Sequence, residues 1–70
     1  MKQLTPRQLQ SELNCRGWSS VRMRDGSHAN FKHPGFARLI TIPMHGNRPI
    51  PPGLLRKILR DANIDPRELS

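Results

Sequence analysis

Residues 18–33 read WSSVRMRDGSHANFKH, and the way this stretch pairs with itself decides the fold. Apolar and polar residues alternate on both sides of Asp25-Gly26, the pattern of two strands that each bury one face. Val21 and Met23 match Ala29 and Phe31 as the apolar sets. A loop of Asp25 and Gly26 alone would set Met23 opposite His28 and split the apolar residues between faces. A three-residue loop, Asp25-Gly26-Ser27, avoids this. It pairs Met23 with Ala29 and Val21 with Phe31 on the inside, leaving Arg22, Arg24, His28, Asn30 and Lys32 together outside. Gly26 supplies the positive φ such a bulged turn needs, and its backbone N–H groups come near any phosphate bound there. Ser27 either caps the turn or touches that phosphate.

Upstream, Leu4-Thr5-Pro6-Arg7-Gln8-Leu9 reads as a helix start. Thr5 is the N-cap, Pro6 occupies the first turn, Gln8 closes a capping box, and Leu4 staples onto Leu9. The helix runs to about Arg16 with Leu9 and Leu13 facing the core, and stops at Gly17 in the left-handed position beyond its end. Downstream, Pro34-Gly35 makes a second turn, and Phe36 to Pro43 gives a third strand with Ile40 and Ile42 inward and Leu39 and Thr41 outward. Met44 to Pro52, MHGNRPIPP, holds too much Pro and Gly to continue a sheet. Leu54, Leu55, Ile58, Leu59 and Ala62 then form the apolar stripe of a second helix, opened by Pro52 and closed by Asn63, with Arg56, Lys57 and Arg60 opposite. Asp65-Pro66-Arg67-Glu68 either starts another capped turn or frays. The fold class is α+β: an α-β-β-β-α sandwich in which two helices cover one face of a three-stranded antiparallel sheet, as one domain over residues 1–70.

A chain of 70 residues buries only roughly 60% of the surface its unfolded form exposes, so its core is thin and a deep substrate cavity is not expected. In that thin core Trp18 lies beside Leu13, with stacking on a base as the alternative. Twelve Lys and Arg against five Asp and Glu give a net charge of +7. Three of the acids, Asp61, Asp65 and Glu68, fall in the last ten residues, so the positive charge is concentrated ahead of them on the strands and the second helix. Such a field attracts nucleic acid first, an acidic protein second and an anionic membrane third. Arg56, Lys57 and Arg60 form a solvated helix face that could also meet RNA backbone or an acidic partner.

One cysteine, Cys15, excludes an internal disulfide and a Cys-based zinc site and reads as a half-buried structural thiol. The N-terminus lacks a signal-peptide stretch and no run is long enough to span a bilayer, which predicts a cytoplasmic protein without membrane contact.

The histidines carry the chemistry. Imidazole takes and gives protons near neutral pH, and RNA brings its own nucleophile in the ribose 2′-OH. His28 can act as general base or acid while Lys32, Arg22 or Arg24 stabilises charge building on the phosphorane, leaving a 2′,3′-cyclic phosphate. This route needs no metal and no small-molecule cofactor, and no carboxylate pair accompanies the histidines to hold Mg²⁺. Asp25 is a turn residue. Asn30 and Ser27 are candidate RNA contacts beside the cations. His33, next to Pro34 and facing inward, reads as a strand-end residue bonding the turn backbone. His45, in the loop, is a second proton-transfer group, a phosphate contact or a residue without a role.

The chain resembles the HicA-like (YcfA-like) toxins, small mRNA interferases of bacterial toxin–antitoxin pairs. The likeness rests on a first helix ending in Gly17-Trp18, then Gly26-Ser27-His28 with Phe31 and His33-Pro34, then Ile40-Thr41-Ile42-Pro43 with His45, and lastly Pro52-Gly53-Leu54-Leu55-Arg56-Lys57-Ile58-Leu59. It implies a fold like a double-stranded-RNA-binding domain, ribosome-independent cleavage of mRNA, and neutralisation by a HicB-like antitoxin encoded beside the toxin. It further implies that His28, within Gly-Ser-His, is the catalytic histidine. Ala29 stands where relatives often carry a second histidine or a basic residue, a departure that bears on substrate contacts and leaves the chemistry in place. Two other classes compete with a nuclease: a non-catalytic module that reads A-form RNA by shape, and an interaction protein whose basic surface docks an acidic partner.

Overall fold

The computed structural model describes residues 3–21, 28–44 and 48–69. The chain runs α1 (Pro6–Cys15), β1 (Ser19–Val21), β2 (His28–Lys32), β3 (Ile40–Pro43), α2 (Pro52–Asp61) and a 3₁₀ turn (Pro66–Glu68). The strands form an antiparallel sheet in the order β1-β2-β3. Ala29, Phe31, Ile40 and Ile42 bury one face of that sheet against Leu9 and Leu13 of α1 and Leu55, Ile58 and Leu59 of α2. Both helices therefore cover the same side, the α+β sandwich read from the sequence. The loop Asp25-Gly26-Ser27, its expected Met23–Ala29 pair, and Arg22, Arg24 and His45 lie outside the described residues.

Both helices end in the same device. In α1, Thr5 and Gln8 close the capping box, the Gln8 amide donating to Thr5 Oγ1 (3.3 Å) and the Thr5 amide to Gln8 Oε1 (2.9 Å). At its other end Gly17 adopts φ +94°, and the Trp18 and Gly17 amides donate back to the carbonyls of Leu13 (3.0 Å) and Asn14 (3.3 Å). This is a Schellman ending, with Trp18 buried beside Leu13 as its apolar contact. In α2 the left-handed residue is Asn63 (φ 56°), and the Ile64 amide returns to the Leu59 carbonyl at 2.8 Å. A short polar side chain tolerates this conformation where most residues do not. The 3₁₀ turn is capped by Asp65, whose Oδ1 accepts from the Arg67 amide (2.9 Å). It is also tied to the end of α1 by an Arg16–Glu68 ion pair (3.3 Å).

Three expectations change, and one contact was not expected. Val21 pairs with Asn30 and Ser20 with Phe31, one residue away from the expected Val21–Phe31 register. The cause lies just upstream of β1. Trp18 and Val21 differ in parity along an extended chain, so both cannot face the core. Burying an indole is worth roughly 4–6 kcal/mol by area against about 1.5 for a valine, so Trp18 sets the register and Val21 goes outside. The third strand begins at Ile40 instead of Phe36. A turn closed by the Phe36 amide on the His33 carbonyl (3.0 Å) sends the Phe36 ring onto Trp18, with ring centroids 4.8 Å apart. Cys15 is exposed, because two residues beyond Leu13 the helix has turned about 200° away from the core. Finally, Ile50 is buried and its amide donates to the Leu4 carbonyl at 2.8 Å, so the proline-rich loop is pinned across the start of α1.

Gly17→Ala tests the α1 ending. A Cβ there would meet His33 Nε2 at 2.9 Å in a backbone region that side chains rarely adopt. The expected cost is about 1–3 kcal/mol, read as a fall in thermal midpoint of roughly 4–8 °C per kcal/mol; an unchanged midpoint would show that the close approach is not a constraint.

Candidate nucleic-acid interface

With Ala29 and Phe31 buried, the alternation of β2 sends His28, Asn30 and Lys32 to the opposite, uncovered face of the sheet. Their cross-strand partners share that face: Pro43 opposite His28, Thr41 and Val21 opposite Asn30, and Ser19 opposite Lys32. His28 is exposed at the first position of β2. Pro43 ends β3 and brings no backbone N–H, which places His28 at the rim of the sheet. The Thr41 hydroxyl donates to Asn30 Oδ1 at 2.7 Å. That bond occupies the acceptor of the Asn30 amide and leaves its two N–H donors for an anion. The sequence placed Thr41 outward, but the cross-strand bond that turns Asn30 into a donor was not read from it.

His33 has a different role. Its Nδ1 accepts from the Gly35 amide (2.8 Å) and its Nε2 lies 3.1 Å from the Arg16 carbonyl. Only the neutral tautomer with hydrogen on Nε2 satisfies both bonds. The ring packs against both Trp18 (centroids 5.2 Å) and Phe36 (5.0 Å, edge-on), which also touch each other, so the three rings form a compact triangle. It closes one of the open carbonyls at the end of α1 and the β2–β3 turn together, the structural part expected of it.

Of the sequence-derived site residues, His28, Asn30 and Lys32 share the open face. Arg22, Arg24, Ser27 and His45 lie outside the described residues, and the register that assigned Arg22 and Arg24 to this face is not the register of β1. Elsewhere, Arg56, Lys57 and Arg60 are exposed on α2. The Asp65 carboxyl is held below its usual range by the Arg67 side chain and then by the Arg67 amide, and Arg67 is raised in turn by Asp65; this pair lies at the C-terminal turn, away from the sheet. Leu39 is the large apolar side chain most open to solvent among the described residues, at 55%. No helix among the described residues is long and apolar enough to cross a membrane.

These features define a class: a small α+β domain of double-stranded-RNA-binding type, with a polar sheet face that carries Lys32 and a histidine at its rim. The family is specific. The family model for the HicA toxin of bacterial toxin–antitoxin systems matches residues 6–64, and the chain belongs to that family. It is therefore the toxin of a toxin–antitoxin pair, and the family implies a cognate antitoxin. No curated protein matches the chain.

The two histidines predict opposite mutational results. His33→Ala loses two hydrogen bonds and one ring of a three-ring cluster, for an expected cost of about 2–4 kcal/mol. His28→Ala changes an exposed residue and is expected to cost about 0.5 kcal/mol or less. Thermal denaturation of both variants checks this; equal losses would mean that His28 is also a structural residue.

Proposed function

We propose that this toxin is an endoribonuclease, an mRNA interferase, in which the open sheet face holds single-stranded or loosely structured mRNA and His28 drives cleavage. The observation that carries the reading is the placement of His28 at the exposed rim, in line with Asn30 and Lys32 and apart from the His33 cluster.

Spacing along the strand assigns the parts. Strand residues rise about 3.3 Å each, so Asn30 stands roughly 6.6 Å from His28 and Lys32 roughly 13 Å away. Asn30 is near enough to donate to the phosphate at which His28 works. Lys32 is too far for that and holds a neighbouring phosphate of the strand. Charge on the phosphorane falls to the Asn30 amide, and Arg22, Arg24, Ser27 and His45 remain candidate RNA contacts. In the reaction the ribose 2′-oxygen forms a bond to phosphorus as the bond to the 5′-oxygen breaks. One group takes the 2′-hydroxyl proton and one delivers a proton to the departing 5′-oxygen, so the products are a 2′,3′-cyclic phosphate and a 5′-hydroxyl. His28 performs one of these transfers, and His45 is a candidate for the other. The nucleophile belongs to the substrate, so the chain need supply only proton transfer and charge. The resulting loss of mRNA arrests translation and growth. The antitoxin is HicB-like and silences the toxin by covering His28 and the cationic face; both act in the cytoplasm, and residues 1–70 act as one domain.

Incubating wild type and His28→Ala with a defined mRNA in EDTA tests this. Wild type is expected to cleave and arrest growth on expression. The variant should keep its fold and its steeply salt-dependent RNA affinity while losing at least a hundredfold in cleavage. Binding without cleavage by the wild type would make it an RNA-binding module instead, and a toxic variant would remove His28 from the chemistry.

A further inference from the structure

The helix layer, which covers the sheet face opposite to that of His28, carries a second charged surface. There α2 and the 3₁₀ turn border an open groove of about 610 Å³. Leu59 and Ile64, both buried, form its floor with Pro66, and the exposed Arg56, Lys57 and Arg60 stand along it. The carboxylates among the described residues leave this groove positive. Glu12 and Glu68 lie against Arg16, and Asp65 is held by Arg67 at 2.9 Å. Asp61 lies 3.9 Å from Lys57. Among the described residues, no ion pair engages Arg56 or Arg60.

The groove's shape and lining favour protein over RNA. Its open lining is mostly apolar carbon, to which the stems of the long cations contribute. Among the described residues, no aromatic ring lines it for a base to stack on, as surfaces that hold single strands provide. An apolar floor between guanidinium groups suits a segment that presents apolar side chains flanked by Asp and Glu. Gly53 opens one end: a Cβ built there meets no atom within 4 Å, so the backbone is bare where a partner would enter.

We infer that this groove docks an acidic, amphipathic segment of the cognate antitoxin. The inference rests on family membership and on the groove, not on the nuclease reading. Its consequence is that gripping the toxin and silencing His28 are separate contacts, on opposite sides of the domain. Two contacts made by one partner reinforce each other through effective concentration, so each can be modest alone.

The test uses the antitoxin encoded beside this toxin, purified and titrated against wild type, Gly53→Trp and the double variant Arg56→Gln/Arg60→Gln. Labelled RNA serves as a second probe, and thermal denaturation confirms folding. Gly53→Trp fills the groove from a helical position where nothing has to move, and the double variant removes charge without changing the backbone. Both are expected to weaken antitoxin binding by about tenfold or more and to leave RNA affinity unchanged. Gly53→Trp should act equally at low and high salt, whereas the double variant should reduce the salt dependence itself. Antitoxin affinity unchanged in both variants overturns the proposal, as does a wild type that does not bind this antitoxin. Loss of RNA affinity with antitoxin binding intact overturns it too, and makes the groove an RNA surface.

Discussion

The His33 ring ties together parts of the chain that would otherwise be independent. Through Nε2 it closes the Arg16 carbonyl at the end of α1, and through Nδ1 it fixes the Gly35 amide in the β2–β3 turn. Trp18 and Phe36 pack against it and against each other. The left-handed Gly17 makes this possible, because a side chain there would occupy the place of the imidazole. With Trp18 anchored, the parity of β1 is fixed, and the pairing of Ser20 with Phe31 follows. In a domain with so thin a core, one such knot contributes a large share of the few kcal/mol that separate folded from unfolded chains.

That constraint also separates the two histidines in space. His28 and His33 are five residues apart on or beside one strand, so they fall on opposite faces of the sheet. One is enclosed by rings and fully hydrogen-bonded; the other stands at the exposed rim. The face around His28 gathers donors and a cation, Asn30 and Lys32, while the helix layer turns a separate cationic surface outward. A small toxin of this kind thus has two sides to offer: one suited to a phosphodiester chain and one to an acidic protein.

Much of this was legible in the sequence. The capping box at Thr5, the glycine stop at Gly17 and the apolar stripe of α2 are local signals, and local hydrogen bonds realise them. The inward or outward sense of β2 and β3 also held, because Ala29, Phe31, Ile40 and Ile42 alternate strictly. The register of β1 was misread because it depends on a residue outside the strand: Trp18 outweighs Val21, a contest that alternation alone does not reveal. The late start of β3 has the same origin, since Phe36 is drawn onto the indole. Ile50 was missed because nothing periodic surrounds it; its signal was one branched apolar residue among prolines. At the site, His28, Asn30 and Lys32 followed from period two, and His33 was correctly set apart. The bond from Thr41 that orients Asn30 crosses strands and requires the register before it can be seen.

In the proposed reaction the protein contributes proton transfer and charge, and the RNA contributes the nucleophile. The most direct measurement is cleavage of an oligoribonucleotide carrying a single 2′-deoxyribose on the 5′ side of the bond that wild type cuts. This bond is expected to become resistant while the unmodified oligonucleotide is cut to a 2′,3′-cyclic phosphate. Cleavage of the deoxy-substituted bond at an undiminished rate would require a nucleophile other than the ribose hydroxyl and would contradict the proposed reaction.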